Sequence, residues 1–288
     1  MSGISGMIGM SGPGGLTVAG ALARAKALGV ARLDAQVLLA HALQRDRGWL
    51  LAHDDTALAP RLAEAFIAGA ARRAAGEPLA YLVGEIDFHS LTLKVSTSVL
   101  VPRPETEGLV DWGLELLSGV LAGASPAHVL DLGTGSGAIA LAVKHACPAA
   151  RVSALDKSPE ALTIASDNAL SLRLNIEFHQ GDWWSTLAGQ RFHLVLSNPP
   201  YIRDGDPHLA ALQHEPQLAL TAGASGLEAL QTIVAGAADH LEAGGWLLLE
   251  HGHDQAPDVQ NLLWQNGFAD VQTRPDLAGL PRCTGAHR

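Results

Sequence analysis

From Ala127 to the C-terminus, short apolar runs alternate with segments of helical period, and few folds accommodate that order. The strand-like runs are HVLDL (128–132), RVSALD (151–156), NIEFHQ (175–180), FHLVLS (192–197), GWLLLEHG (245–252) and a last one near Asp270–Thr273. Helical patterns lie between them at Ala138–His145, Pro159–Leu170, Gly226–Leu241 and Asp258–Gln265. Strand and helix in strict alternation predict a mostly parallel sheet with helices on both faces, wound through right-handed crossovers. In such a sheet the loops after the strands gather at one edge, which is where open α/β sheets bind ligands.

Four of those loops carry chemistry. FHLVLS runs into Asn198-Pro199-Pro200-Tyr201. Neither proline donates a backbone N–H or continues an interior ladder, so the strand ends on a stiff rim rich in free acceptors. HVLDL runs into Gly133-Thr134-Gly135-Ser136-Gly137, where glycines permit a tight turn and close approach to a ligand, and the next helix offers its N-terminus. A dinucleotide fingerprint requires glycine at the place held by Ala138, so a small zwitterionic ligand tail fits better than a pyrophosphate. Asp156 ends the second strand and suits the two hydroxyls of a ribose, with a helix cap before Pro159 as its structural alternative. Asp182-Trp183 closes the third strand, where a carboxylate can accept from an exocyclic amine and an indole can stack on a purine, unless the paired tryptophans serve only as core.

The N-terminal part of the chain reads differently. Thr17 to about Gly76 is all-helical: Thr17 caps a helix ending at Gly29, Leu33, Val37 and Ala40 recur at helical spacing, and Pro60 opens a helix bearing Leu62, Phe66 and Ala70. His41 and His53 in this region are read as structural. From Glu77 to Val101 the pattern turns to β, with a hairpin about His89-Ser90. VPRPETE (101–107) then leads into a helix carrying Leu109, Val110, Trp112 and Leu116. The expected organisation is a disordered tail (1–16), a helical domain (17–76), a β-hairpin linker (77–101) and an α/β domain (102–288).

Composition removes several classes of function. With 48% hydrophobic residues in 288, the chain can bury a substantial core, and no apolar run is long enough to span a bilayer. A net charge of −10 argues against wrapping a nucleic-acid backbone. Cys147 and Cys283 form no CxxC pair, which suits a reducing cytoplasm and no thiolate metal site. His251-Gly-His253-Asp254 lacks a third well-placed ligand for a metal.

An acid before GxGxG, an acid after the second strand, Gly-Asp after the third and NPPY after the fourth resemble class I S-adenosylmethionine-dependent methyltransferases that act on a nitrogen conjugated to a π system. GEPLAYLVG (76–84), VPRPETE, DLGTGSGAIAL (131–141), SNPPYI (197–202), HEPQLAL (214–220), GLEAL (226–230) and GGWLLLEHG (244–252) narrow the resemblance to the bacterial HemK/PrmC family of protein-(glutamine-N5) methyltransferases. It covers Thr17 to the C-terminus; His214 departs from the family's usual aromatic residue before Glu-Pro. The resemblance implies a mostly parallel seven-stranded sheet and S-adenosylmethionine as the only cofactor, with no metal. It assigns substrate docking to the helical domain (17–76) and catalysis to the α/β domain (102–288). It places cofactor contacts at Gly133–Gly137, Asp156, Asp182, Trp183 and Asn198. The substrate clamp falls on Asn198, Pro199, Pro200 and Tyr201, with Asn198, Pro199 and Tyr201 catalytic. The implied partner is a class 1 peptide chain release factor, methylated on the glutamine of its Gly-Gly-Gln loop by a monomeric cytoplasmic enzyme, with no sequence-specific nucleic-acid binding and no membrane association. A glutamine methyltransferase of a large-subunit ribosomal protein shares NPPY, but PRPETE and the helical domain favour release factors. A nucleobase N-methyltransferase would need a basic strand-tracking surface that is not evident here, and a non-catalytic binding module would not use clamp and cofactor loops together.

Overall fold

Thr17 Oγ1 accepts the Gly20 N–H at 3.1 Å and starts α1 (Val18–Ala27), which stops at Gly29 with φ +89°. The computed structural model describes residues 15–288, so the expected tail falls almost wholly outside the described residues. The chain divides after Val83 into two units.

The first unit adds α2 (Arg32–Leu43), α3 (Arg47–Ala52), α4 (Pro60–Ala74) and α5 (Leu79–Val83). Asp46 Oδ1 caps α3 through the Trp49 N–H at 2.7 Å, and Pro60 holds the first turn of α4. Val18, Leu38, Leu39, Leu50, Phe66 and Ala70 form its core. Of the expected apolar positions of α2, Ala40 is buried in the core, whereas Leu33 is 52% exposed and Leu38 and Leu39 point inward in its place. The close approach of α4, where a Cβ on Gly69 would lie 3.2 Å from Leu38 Cδ2, selects the Leu38 side. Residues 79–83, read as the approach to β structure, form a helical turn because Leu79 and Leu82 bury against this core.

The second unit opens with β1 (Glu85–Phe88) and β2 (Leu91–Lys94), paired antiparallel. His89 and Ser90 both have positive φ, which matches the right-handed twist of a two-residue hairpin. After α6 (Pro104–Ser118) come β3 (His128–Leu132), α7 (Ala138–Ala146), β4 (Arg151–Asp156), α8 (Pro159–Leu172), β5 (Glu177–Gln180) and β6 (Phe192–Ser197). A loop with two 3₁₀ turns precedes α9 (Glu228–His240), β7 (Leu241–Glu250), α10 (Ala256–Gln265), β8 (Ala269–Pro275) and β9 (Pro281–His287). The seven strands lie in the order β5-β4-β3-β6-β7-β9-β8. The first five run parallel, and β9 is antiparallel to both neighbours.

Side chains alternate across the sheet, so the parallel strands β4, β3, β6 and β7 serve two cores. Val129, Val152, Leu194, Leu196 and Leu248 meet Leu109, Trp112, Leu141 and Val143 on one face. Leu130, Leu155, Val195, Leu247 and Leu249 meet Leu230, Ile233, Val259 and Leu263 on the other. β9 is absent from the strand pattern of the sequence because it begins with Pro281 and holds Gly285. That glycine is required by packing: a Cβ there would come within 2.3 Å of Leu248 Cδ2 and 2.7 Å of the Trp112 ring.

Candidate active site

A cavity of about 410 Å³ opens at the carboxyl ends of β3, β4, β5 and β6, within the range of small-molecule sites. Its walls include Gly133, Thr134, Gly135, Ser136, Asp156, Asp182, Trp183, Asn198 and Pro200. The four loops singled out in the sequence therefore meet in one place. Gly137, Pro199 and Tyr201 are not among the lining residues.

The glycine loop is held from behind. Gly133, Gly135 and Gly137 have φ of +74°, +56° and +86°, a conformation costly for any residue with a Cβ. The backbone N–H groups of Gly133 and Thr134 both donate to Leu155 O, at 2.8 and 2.9 Å, and Gly135 N–H donates to Asp156 Oδ2 at 2.8 Å. Asn168, 1% exposed on α8, donates to Ser136 O and also pairs with both backbone groups of Lys94, so one buried amide fixes the loop and the hairpin together.

Asp131 lies beneath the loop, fully buried. Its Oδ2 accepts from Thr134 Oγ1 at 2.6 Å and from Ala140 N–H at 3.1 Å, while Oδ1 has no protein partner. Burial pushes this carboxyl up to about 7, against the pull of those two donors. Asp156 lines the cavity, and its Oδ1 accepts the Ser158 N–H at 2.9 Å, whereas the N-cap of α8 is Ser158 itself, whose side chain accepts the Ala161 N–H. Burial raises the Asp156 pKa, and the backbone N–H groups of Ser158 and Gly135 oppose the rise.

The two tryptophans have separate fates. Trp183, at φ +49°, lays its ring beside Gly133, where an added Cβ would lie 3.6 Å from Cζ3, and forms part of the cavity wall. Trp184 donates to Ile233 O at 3.1 Å and stacks on His240 with ring centroids 4.7 Å apart, a structural contact. Asp182 lines the cavity, with Oδ2 2.7 Å from Lys157 Nζ in an exposed ion pair.

On the opposite wall, Asn198 Nδ2 donates to Thr106 Oγ1 at 3.1 Å, which leaves Oδ1 as the free acceptor of that amide. Tyr201 turns from the cavity: its hydroxyl reaches Glu250 Oε1 at 3.4 Å, its carbonyl accepts from Gln255 Nε2, and its ring joins the core beneath α9. Its hydroxyl pKa is raised by burial and by the Glu250 charge.

Thr106, Glu215, Glu228 and Glu250 were not singled out as site residues in the sequence. Glu215 Oε2 accepts the Val101 N–H at 3.1 Å and Oε1 pairs with Arg103, so HEPQLAL braces VPRPETE. Glu228, at the first turn of α9, lines the cavity with Oε2 unpartnered, and the Ser225 N–H on Oε1 lowers its pKa. All four stand in or beside stretches that carry the family resemblance, which was the available signal. His251 is committed elsewhere, with Nδ1 to Gly252 O and Nε2 to Thr284 Oγ1.

A family model described as PrmC N-terminal domain matches residues 17–84, and one described as Methyltransferase small domain matches 106–217. The release factor glutamine methyltransferase of Xylella fastidiosa (strain Temecula1) is 48% identical over 258 residues, covering 88% of this chain and 92% of the relative. The chain belongs to the release factor glutamine methyltransferase family. It is a methyltransferase, and the resemblance drawn from NPPY, PRPETE and the helical region stands. The family's member in Escherichia coli K12 is 41% identical across 88% of this chain and 91% of its own length. Among solved structures, the T. thermophilus 16S rRNA N2 G1207 methyltransferase with AdoMet and guanosine superposes with a TM-score of 0.55 at 20% identity, covering 71% of this chain and 49% of that one. The hMettl16 catalytic domain superposes at 0.57 and 15% identity over 76% of this chain and 81% of that one. Both show that this methyltransferase shares their sheet architecture.

Proposed function

We propose that the protein transfers the methyl group of S-adenosylmethionine to the side-chain N5 of the glutamine in the Gly-Gly-Gln loop of class 1 peptide chain release factors, and thereby modulates translation termination. The relatives that cover 88% of the chain carry release factor glutamine methyltransferase as their name. The observation that carries the chemistry is Asn198, whose Nδ2 is committed to Thr106 and whose Oδ1 is left to accept an N–H.

The cavity fits the donor. S-adenosylmethionine, when bound, supplies a methyl group on a positively charged sulfur. The positive-φ glycine loop leaves backbone room for its amino-acid tail, and the orphaned buried Asp131 Oδ1 contributes negative potential beneath that loop. Asp156, which lines the cavity beside the glycine loop, would hold the ribose hydroxyls, and Trp183 and Asp182 the adenine. No metal is assigned a role.

At the other wall, an amide nitrogen is a poor nucleophile because its lone pair is delocalised. Asn198 Oδ1 and the Pro199 carbonyl would accept its two N–H bonds and turn the lone pair toward the methyl carbon. As positive charge develops on that nitrogen, both acceptors bind its hydrogens more strongly and ease the loss of one proton. Residues 17–76 are assigned to docking the release factor, and 102–288 to catalysis.

Mass spectrometry tests the reading. The full chain is incubated with S-adenosylmethionine and, in parallel, purified release factor and large-subunit ribosomal protein. A mass gain of one methylene on the Gly-Gly-Gln peptide is expected; no gain there, or gain on the ribosomal protein alone, overturns it.

A further inference from the structure

Behind the rim lies a buried carboxylate that the proposed chemistry does not use. Glu250, 1% exposed, ends β7 beside the carboxyl end of β6. Thr106, 4% exposed in the first turn of α6, stands between it and the cavity. The Thr106 hydroxyl lies next to the Glu250 carboxyl and pulls its pKa down, while Oγ1 accepts from Asn198 Nδ2 at 3.1 Å. Tyr201 OH donates to Oε1 across a long 3.4 Å, and Oε2 has no partner of good geometry. Arg282, held by Asp276 and by His251 O, supplies the nearest opposite charge.

With Thr106 donating to the Glu250 carboxylate, hydrogen-bond polarity would run from Asn198 to Glu250 in one direction. An ionised carboxylate only accepts, so a neighbouring hydroxyl turns its proton toward it. The oxygen of that hydroxyl then offers lone pairs on its other side. A side-chain amide is nearly symmetric in shape but not in polarity, and only its NH₂ end can meet those lone pairs favourably. The amide oxygen must point the opposite way. We infer that Glu250 is a positioning residue that acts through the Thr106 hydroxyl to hold Asn198 with its Oδ1 toward the acceptor nitrogen. The inference rests on the proposed function of the rim, because an acceptor-out amide is useful only to a substrate that brings N–H bonds.

Glutamine at position 250 would undo the polarity without changing the shape. Its NH₂ can donate to Thr106 Oγ1, which frees the threonine proton for Asn198 Oδ1 and permits the amide to flip. The rim would then present N–H to N–H. Valine at position 106 removes the relay outright, whereas serine keeps it.

The experiment uses the full chain, release factor and isotopically labelled S-adenosylmethionine at pH 8. Methyl transfer by the wild type is established first; its absence overturns the functional reading, independently of the relay. Given that activity, Thr106→Val and Glu250→Gln should each lower kcat by about 10- to 100-fold, the scale of a misaligned reacting group. Cofactor Kd should stay within about threefold, and Thr106→Ser should restore kcat to within about threefold of wild type. Glu250→Gln should also raise the melting temperature, since it removes a desolvated charge; a residue needed only for structure would lower it. Wild-type kcat in both variants, or parallel loss of turnover, cofactor binding and stability, overturns the inference. Should one variant fail to fold, the other decides.

Discussion

The two walls of the cavity are built on opposite plans. On the glycine-loop wall, polar groups are satisfied by backbone close at hand: Gly135 N–H on Asp156, Ala140 N–H on Asp131, and two loop amides on Leu155 O. On the rim wall, Asn198 is held by the Thr106 side chain of α6, which is remote in sequence. The first plan makes a preformed receptor whose geometry follows from the chain's own turns. The second makes an orientable amide whose polarity depends on distant partners, which is where a reaction requiring an aligned lone pair has most to lose.

The sharpest division between the walls is kinetic. Asn198→Ala should reduce turnover by about 10³- to 10⁴-fold, since a positioned acceptor that strengthens in the transition state is worth several kcal/mol. Cofactor affinity should change by no more than about threefold, read by calorimetry. A large loss of cofactor affinity would show that the rim belongs to both ligands and dissolve the contrast.

Asp156→Ala should give the reverse pattern. It removes an acceptor to which the backbone N–H groups of Gly135 and Ser158 donate, and with it the proposed ribose partner, so cofactor Kd should rise by about 10²-fold. At saturating cofactor, kcat should recover most of its wild-type value. A kcat that stays low at saturation would mean that the glycine loop also aims the methyl group.

Each wall also encloses one acid displaced to about 7 by burial, Asp131 on one side and Glu250 on the other. A carboxyl raised in the folded state binds more protons folded than unfolded between about 4.5 and 7. Its contribution to stability is therefore complete below the unfolded value and is lost as pH rises through about 7. Glu250→Gln should stabilise the protein by about 3 kcal/mol at pH 8, with the gain vanishing near pH 4.5, as followed by chemical denaturation. A pH-independent difference would show that Glu250 has the same pKa in the folded and unfolded states.

The contrast between the walls also explains which features were legible in the sequence. Glycines at tight turns, Asp156 and the NPPY break are local signals, and they marked the edge of the sheet correctly. The contacts that Asn168 makes with Ser136 and Lys94, that Glu215 makes with Arg103, and that Thr106 makes with Asn198 join positions far apart in the chain. No spacing rule could reveal them. Trp183 and Trp184 are neighbours with different roles because the left-handed turn at Trp183 sends their rings apart. In the helical unit, the spacing of Leu33, Val37 and Ala40 found the helix but only part of its buried face, Ala40, while the approach of Gly69 to Leu38 brings Leu38 inward. β9 escaped because its strand-breaking residues, Pro281 and Gly285, are tolerated or demanded by its neighbours.

The weakest expected effect sharpens the same comparison from the surface. Lys157 and Asp182 pair at 2.7 Å on the glycine-loop wall, but their side chains are 59% and 54% exposed. Exposed pairs contribute about 0–1 kcal/mol, because solvent screens them and ordering two side chains costs entropy. Lys157→Met should therefore alter cofactor Kd by less than about threefold, although both residues line the cavity. If that wall works as a receptor made of backbone and buried acids, removing an exposed cation beside it leaves the receptor intact. A tenfold weakening, diminishing in high salt, would instead show that Lys157 presents Asp182 to the ligand. The glycine-loop wall would then rely on side-chain positioning as much as the rim does.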